Sequence, residues 1–129
     1  MKRITTLLAT AALLLAVSVP QVLASGGEGT RIVLKSAKAF PAAKGSAKFK
    51  ATAEERELQV EVEHIRRLAG KRVVFVVGGK KVASAKVNRF GAAEVNRNSE
   101  RGQFVPAVRA GTSVKVKTAG GALLVRGSF

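Results

Sequence analysis

The sequence predicts an all-β fold: a small antiparallel β-sandwich, or a partly open barrel, of about 7–8 short strands preceded by a cleavable signal peptide. Three observations predict it. Short runs of β-branched and apolar residues alternate with charge from Arg31 to Ser128. Gly and Asn clusters separate those runs. Pro41 interrupts the one Ala-rich stretch, Ser36 to Lys44, that would otherwise read as a helix, so at most one turn can form there.

The elements follow in order. Lys2 and Arg3 precede an apolar run from Ile4 to Val19, Pro20 stops it, and Val22-Leu23-Ala24 supplies small or modest residues at a cleavage point. That is the three-part pattern of a secretory signal over residues 1–24. A retained membrane span would need about 20 apolar residues in a row, and this run ends short of that. No Cys follows the cleavage point, which excludes a lipid-anchored lipoprotein. Removing Lys2 and Arg3 with the leader lowers the formal charge from +15 to +13. Residues 25–29 read as a flexible Gly-rich N-terminus and 30–129 as a single all-β domain with no transmembrane segment. The expected location is extracellular or periplasmic. A chain of this size can bury roughly 60% of its unfolded surface and needs no disulfide staples.

Strands are predicted near Arg31–Lys35, Ser46–Thr52, Glu57–Ile65, Arg72–Val77, Lys81–Val87, Ala92–Asn96, Ser113–Thr118 and Ala122–Ser128, with a short helical turn at Ile65–Ala69. Three hairpins have testable registers. A turn centred on Glu54-Glu55, opened to a four-residue loop, pairs Phe49 with Val60, Ala51 with Leu58 and Ala47 with Val62, and sets Lys48 against Glu61 on the other face. A turn at Gly78-Gly79 or Gly79-Lys80 leaves Arg72–Val77 apolar on both faces, with Val73, Phe75 and Val77 against Val82, Ser84 and Lys86. That marks a central strand or one covered by something else. A turn at Gly120-Gly121 pairs Val116 with Val125 and Thr118 with Leu123, and brings Phe129 to Thr112. It also sets Lys115 directly opposite Arg126, a like-charge pair that costs stability unless solvent or an anion relieves it.

Gly45-Ser46-Ala47-Lys48-Phe49, Arg56-Glu57-Leu58-Gln59-Val60-Glu61-Val62-Glu63, Val74-Phe75-Val76-Val77-Gly78-Gly79, Val105-Pro106-Ala107-Val108-Arg109-Ala110-Gly111 with Val114-Lys115-Val116, and Gly120 to Phe129 together make a pattern of alternation plus turn glycines. In it the chain resembles small exported bacterial all-β domains without assigned activity, over Gly45 to Phe129. The resemblance implies a stable β unit, used singly or in tandem in secreted proteins, and implies no chemistry. Gly78-Gly79 stands where the family pattern has Asn-Gly.

Composition excludes several chemistries. There is no Cys and no Asp, and His64 is the one histidine. Thiolate metal sites, Cys nucleophiles and sites needing paired Asp are therefore excluded, and a mononuclear zinc site lacks ligands. Glu54, Glu55 and Glu57 read as a solvated acidic turn rather than a calcium site. No nucleophile elbow surrounds any Ser, and no GxxxxGK[ST] loop is present. The expectation is a non-catalytic protein with no cofactor and no metal. The alternative enzyme reading is a small exported hydrolase using Ser with Lys, through Ser46/Lys48 or Ser84/Lys86, or Ser with His64. It requires a Lys buried enough to lose its proton.

Charge is the remaining signal, with 23 Lys+Arg against 8 Asp+Glu. Candidate anion-binding residues are Lys115, Lys117, Arg126, Lys80 and Lys81, with further basic pairs at Lys48/Lys50, Arg66/Arg67 and Lys71/Arg72. The expected partners are an anionic polysaccharide, an anionic envelope surface or an acidic protein. Nucleic acid is disfavoured, because single-strand binders stack bases on aromatic side chains and the chain has six Phe with no Trp or Tyr. Neutral glycans are disfavoured for the same reason. A protein-inhibitor or adhesion module acting through the 78–81 hairpin tip is a further reading, and charge that serves solubility alone is the plainest one.

Overall fold

The computed structural model describes residues 29–129, so the signal peptide and residues 25–28 lie outside the described residues. Eight strands form: β1 Thr30–Ser36, β2 Lys44–Ala51, β3 Arg56–Glu63, β4 Arg72–Val77, β5 Lys80–Lys86, β6 Ala93–Asn98, β7 Ser113–Thr118 and β8 Leu123–Ser128. Two single 3₁₀ turns, Arg66–Leu68 and Ser99–Arg101, are the helical elements among the described residues. The stretch before β2 makes two tight turns around Pro41 and no helix.

All eight strands belong to one antiparallel sheet in the order β5-β4-β7-β8-β1-β2-β3-β6. The ends of that order, β5 and β6, are consecutive in the chain. The sheet therefore curls until its edges meet, giving a nearly closed barrel rather than two stacked sheets. Closing a sheet in this way removes most of the exposed strand edge that would otherwise invite pairing with other chains.

Alternation drives the closure. On β3, Leu58, Val60 and Val62 are buried while Glu57, Gln59 and Glu61 face outward; on β4, Val73, Phe75 and Val77 are wholly buried. Val114 and Val116 of β7 and Val125 of β8 complete the same interior with Ala47 and Phe49 of β2. Phe129 packs edge-on against Phe49, ring centroids 6.4 Å apart. Each fully buried aliphatic side chain contributes about 1.5–3 kcal/mol of transfer free energy. The described residues include no buried polar or charged residue, so the interior is a packed apolar core.

The registers refine the sequence reading. In the β2–β3 hairpin Ala51 pairs with Arg56, Phe49 with Leu58 and Ala47 with Val60, so the strands slide two residues from the predicted pairing. The cause lies in the loop. The Thr52 hydroxyl accepts the amides of Glu54 (3.3 Å) and Glu55 (3.2 Å), and the Thr52 amide donates to the Glu55 carbonyl at 2.8 Å. This side-chain turn recentres the hairpin on Ala53-Glu54. A slide of two keeps every side chain on its face. It changes the outer partners: Lys48 meets Gln59, and Lys50 meets Glu57 with Nζ 3.5 Å from the carboxylate.

The β4–β5 turn is Gly78-Gly79, both at positive φ (61° and 81°), as a tight two-residue hairpin turn requires. Val77 pairs with Lys80 and Val76 with Lys81, but the register shifts between Phe75 and Val76. Beyond this bulge Phe75 pairs with Ala83 and Val73 with Ala85, not with Val82 and Ser84 as the turn alone predicts. Val82 becomes the extra residue and joins the core, 5% exposed. A second bulge, between Val116 and Lys117, lets Leu124 enter the core and sets Lys117 opposite Leu123. Thr118 therefore faces Ala122 rather than Leu123: its amide donates to the Ala122 carbonyl at 2.8 Å, and its hydroxyl accepts the Ala122 amide at 2.9 Å. Bulges bend and twist the strands that carry them, which assists closure. Up to that bulge the predicted register holds: Val116 faces Val125, Lys115 faces Arg126, and the Phe129 amide donates to the Thr112 carbonyl at 3.0 Å.

At the seam the β5–β6 connection lies against the Ile65-Arg66 backbone, and the Ile65 amide donates to the Gly91 carbonyl at 3.0 Å. Arg97 lies on the inward side of β6, opposite Leu58, and its Nη2 donates to the Val82 carbonyl of β5 at 2.7 Å. This bond ties the two edges together.

Candidate functional site

The curl sorts the charge. Every described acidic residue, Glu54, Glu55, Glu57, Glu61, Glu63, Glu94 and Glu100, lies on β3, on β6 or in the segments that adjoin them. The five strands β5, β4, β7, β8 and β1 carry no carboxylate side chain. Their outward residues include Lys81, Lys86, Arg72, Lys115, Lys117, Arg126 and Lys35. One wall of the barrel is thus uniformly cationic, and the opposite wall pairs its cations with Glu, as in Lys50–Glu57.

The predicted anion-binding residues fall on that wall in different ways. Lys115 pairs with Arg126 across β7–β8, and Arg126 pairs in turn with Lys35 across β8–β1. On the other side Lys115 pairs with Val76, and Val76 with Lys81. Lys117 sits two residues from Lys115 on the same outer face, between Val74 and Leu123. Lys115 and Lys117, paired with Val76 and Val74, are half-buried, whereas Lys81, Arg126 and Lys35 are exposed. Lys80 stands apart: it opposes the inward residue Val77 beside the hairpin turn. Directly opposed cross-strand residues have Cβ atoms about 4.5–5.5 Å apart, so Lys115, Arg126 and Lys35 make a run of like charge without an internal counter-ion.

Lys35 is the member that sequence reasoning missed. Its strand is legible in the sequence, but β1 pairs with β8 from the far end of the chain, and no hairpin encodes that pairing. The acid-free stretches 65–93 and 102–129 were a usable signal for the charged wall.

The other basic pairs are engaged elsewhere. Lys48 and Lys50 line a shallow groove of about 290 Å³ together with Glu57, Gln59, Asn96, Asn98 and Arg101. Arg67 is pinned by an Nη2 bond to the Ala39 carbonyl at 2.7 Å, with its guanidinium 4.2 Å above the Phe40 ring. Of the phenylalanines in turns, Phe90 and Phe104 are exposed, whereas Phe40 packs against the core.

His64 follows β3 in the left-handed region, φ 63°, with Nε2 3.8 Å from the Glu63 carboxylate. It borders a groove of about 310 Å³ formed with Phe40, Pro41, Arg66 and Arg67, and no serine lines it. Ser46 and Ser84 each accept from an arginine at 3.4 Å, Arg31 and Arg72 respectively. Among the described residues no group of three His, Cys, Asp or Glu side chains gathers in a metal-binding arrangement. Compared with protein-family models, curated proteins and solved structures, the chain finds no match.

Proposed function

We propose that this protein is an exported, non-catalytic β module that binds anionic polymers or surfaces through its acid-free wall. The observation that carries the reading is the segregation of charge among the described residues: their seven glutamates lie on one side of the barrel, and Lys81, Lys115, Lys117, Arg126 and Lys35 lie together on the other without a glutamate among them. A solubilising surface works best with both signs interspersed. A one-sign face creates a directed field that concentrates polyanions and speeds their encounter. The placement outside the cell rests on the leader pattern of residues 1–24, and it favours a polysaccharide, an envelope surface or an acidic protein over nucleic acid as the partner.

The non-catalytic part of the reading is supported by the surroundings of His64, which is exposed, and of the described Lys side chains, which are exposed or half-buried. None of the described ones is buried, and a lysine base needs burial to lose its proton. The test is retention of the purified protein on an immobilised polyanion as salt rises. The wild type should elute well above the triple variant Lys115→Gln, Lys117→Gln, Arg126→Gln. Identical elution would remove the wall from the reading.

A further inference from the structure

The registers carry the reading one step further, from a charged face to a direction on it. Four consecutive strand pairings place Lys81, Val76, Lys115, Arg126 and Lys35 in one unbroken row across β5, β4, β7, β8 and β1. Four of these five residues are cations, each on a different strand. We propose that this row is a track for a linear polyanion, which lies across the strands with successive anionic groups on Lys35, Arg126, Lys115 and Lys81. The inference rests on the binding function proposed above and specifies the shape of its ligand.

Three features support a track over a diffuse patch. First, neighbouring strands lie about 4.8 Å apart, so the row spans roughly 19 Å along the sheet, with its cations at the first, third, fourth and fifth positions. A chain with closely repeated phosphates, sulfates or carboxylates can meet such an array, and a single small anion can meet only part of it. Second, the row is flanked by hydroxyls. Ser113 and Ser128 pair with each other two residues from Lys115 and Arg126, and so share their outer face as neutral donors. Third, the row is bounded. On β2, Lys44 is already opposed by Glu63, and farther along the same strands Ser46 faces Glu61, which in turn faces Glu94. The acidic wall repels a polyanion that strays past β1, while the cationic positions hold it along the row. The like-charge opposition of Lys115 and Arg126 is the device itself: a bound anion between them relieves a repulsion that the free protein carries.

The test uses long-chain polyphosphate, tripolyphosphate and vesicles containing anionic phospholipid as probes of the purified protein. Binding is measured from low to moderate NaCl. Lys35→Gln, Lys81→Gln and Arg126→Gln should each weaken long-chain polyphosphate binding and lower the slope of log K against log salt by about 0.7–0.9, the loss of one neutralised anionic group. Lys86→Gln removes the same charge from the same wall but lies opposite Arg72, far from the row, and should leave the slope unchanged. Tripolyphosphate should lose affinity with Arg126→Gln and be indifferent to Lys81→Gln, being too short to reach from one end to the other.

Equal effects of Lys86→Gln and Lys35→Gln would overturn the track and leave polyanion binding by a diffuse field. Vesicle binding that is strong and indifferent to the choice of row residue would overturn it in favour of a flat lipid surface. A wild-type protein that binds none of the three probes would overturn the proposed function together with the track.

Discussion

Arg97 offers the sharpest test of how the barrel closes. Its Nη2 donates to the Val82 carbonyl at 2.7 Å from β6 to β5, the two strands that end the sheet order. Val82 is the extra residue of the β4–β5 bulge, without a cross-strand partner in the β4 register, and it is buried. Arg97→Met keeps a stem of similar length packed opposite Leu58 and removes the donor. The loss is a hydrogen bond from a charged donor, about 1.5–3 kcal/mol, because the carbonyl is left without it in a partly buried place. Part of this is offset, since the Nε of the same guanidinium is buried without a protein partner among the described residues, and methionine removes that group too. The net expectation is a destabilisation of about 1–2 kcal/mol. For a domain of roughly 100 residues this lowers the melting temperature by roughly 5–10 °C. Urea or thermal melts measure the loss, and amide hydrogen exchange locates it: protection should fall first in β5 and β6. A wild-type midpoint with unchanged protection in those two strands would refute the claim that Arg97 holds the seam.

Three further predictions follow from packing and charge. Gly91→Ala places a Cβ 2.6 Å from the Arg66 backbone nitrogen at φ 85°, so it should cost several times more than Gly70→Ala, which shares the positive φ (84°) with open space around it and should lose only about 1–2 kcal/mol in a denaturant melt. Phe75→Ala empties the centre of β4, where the ring is wholly buried, and should cost about 3–5 kcal/mol, read as a large drop of the midpoint in a denaturant melt followed by circular dichroism. Arg126→Glu turns two like-charge oppositions, with Lys115 and with Lys35, into opposite ones; it should raise stability by about 0.5–1 kcal/mol at low salt, with the gain vanishing in high salt, while abolishing retention on polyanions.

The Gly91 and Arg97 contacts belong to a class that no local pattern encodes. Alternation along β3, β4 and β7 was legible because a strand with one buried side must place an apolar residue at every second position. The Gly78-Gly79 turn and the place of the β7–β8 turn were legible because positive φ, adopted by Gly78, Gly79 and Gly121, is cheap only for glycine. The slide of the β2–β3 hairpin was not, because it depends on whether the Thr52 hydroxyl or the Glu54-Glu55 pair nucleates the turn. Nor were the two bulges, which exist because Val82 and Leu124 gain more from the core than regular pairing would return.

By itself, then, the chain's order of residues determined an all-β domain, its eight strands, its apolar interior and the opposition of Lys115 to Arg126, since each of these depends on neighbours a few residues apart. Only the tertiary structure decided that the sheet closes on itself, that β1 lies beside β8, and that Lys35 therefore extends the cationic row. The β1–β8 pairing joins segments about ninety residues apart, and the energy of both it and the closure comes from burying a shared core and sealing strand edges, terms that exist only once the whole sheet has formed.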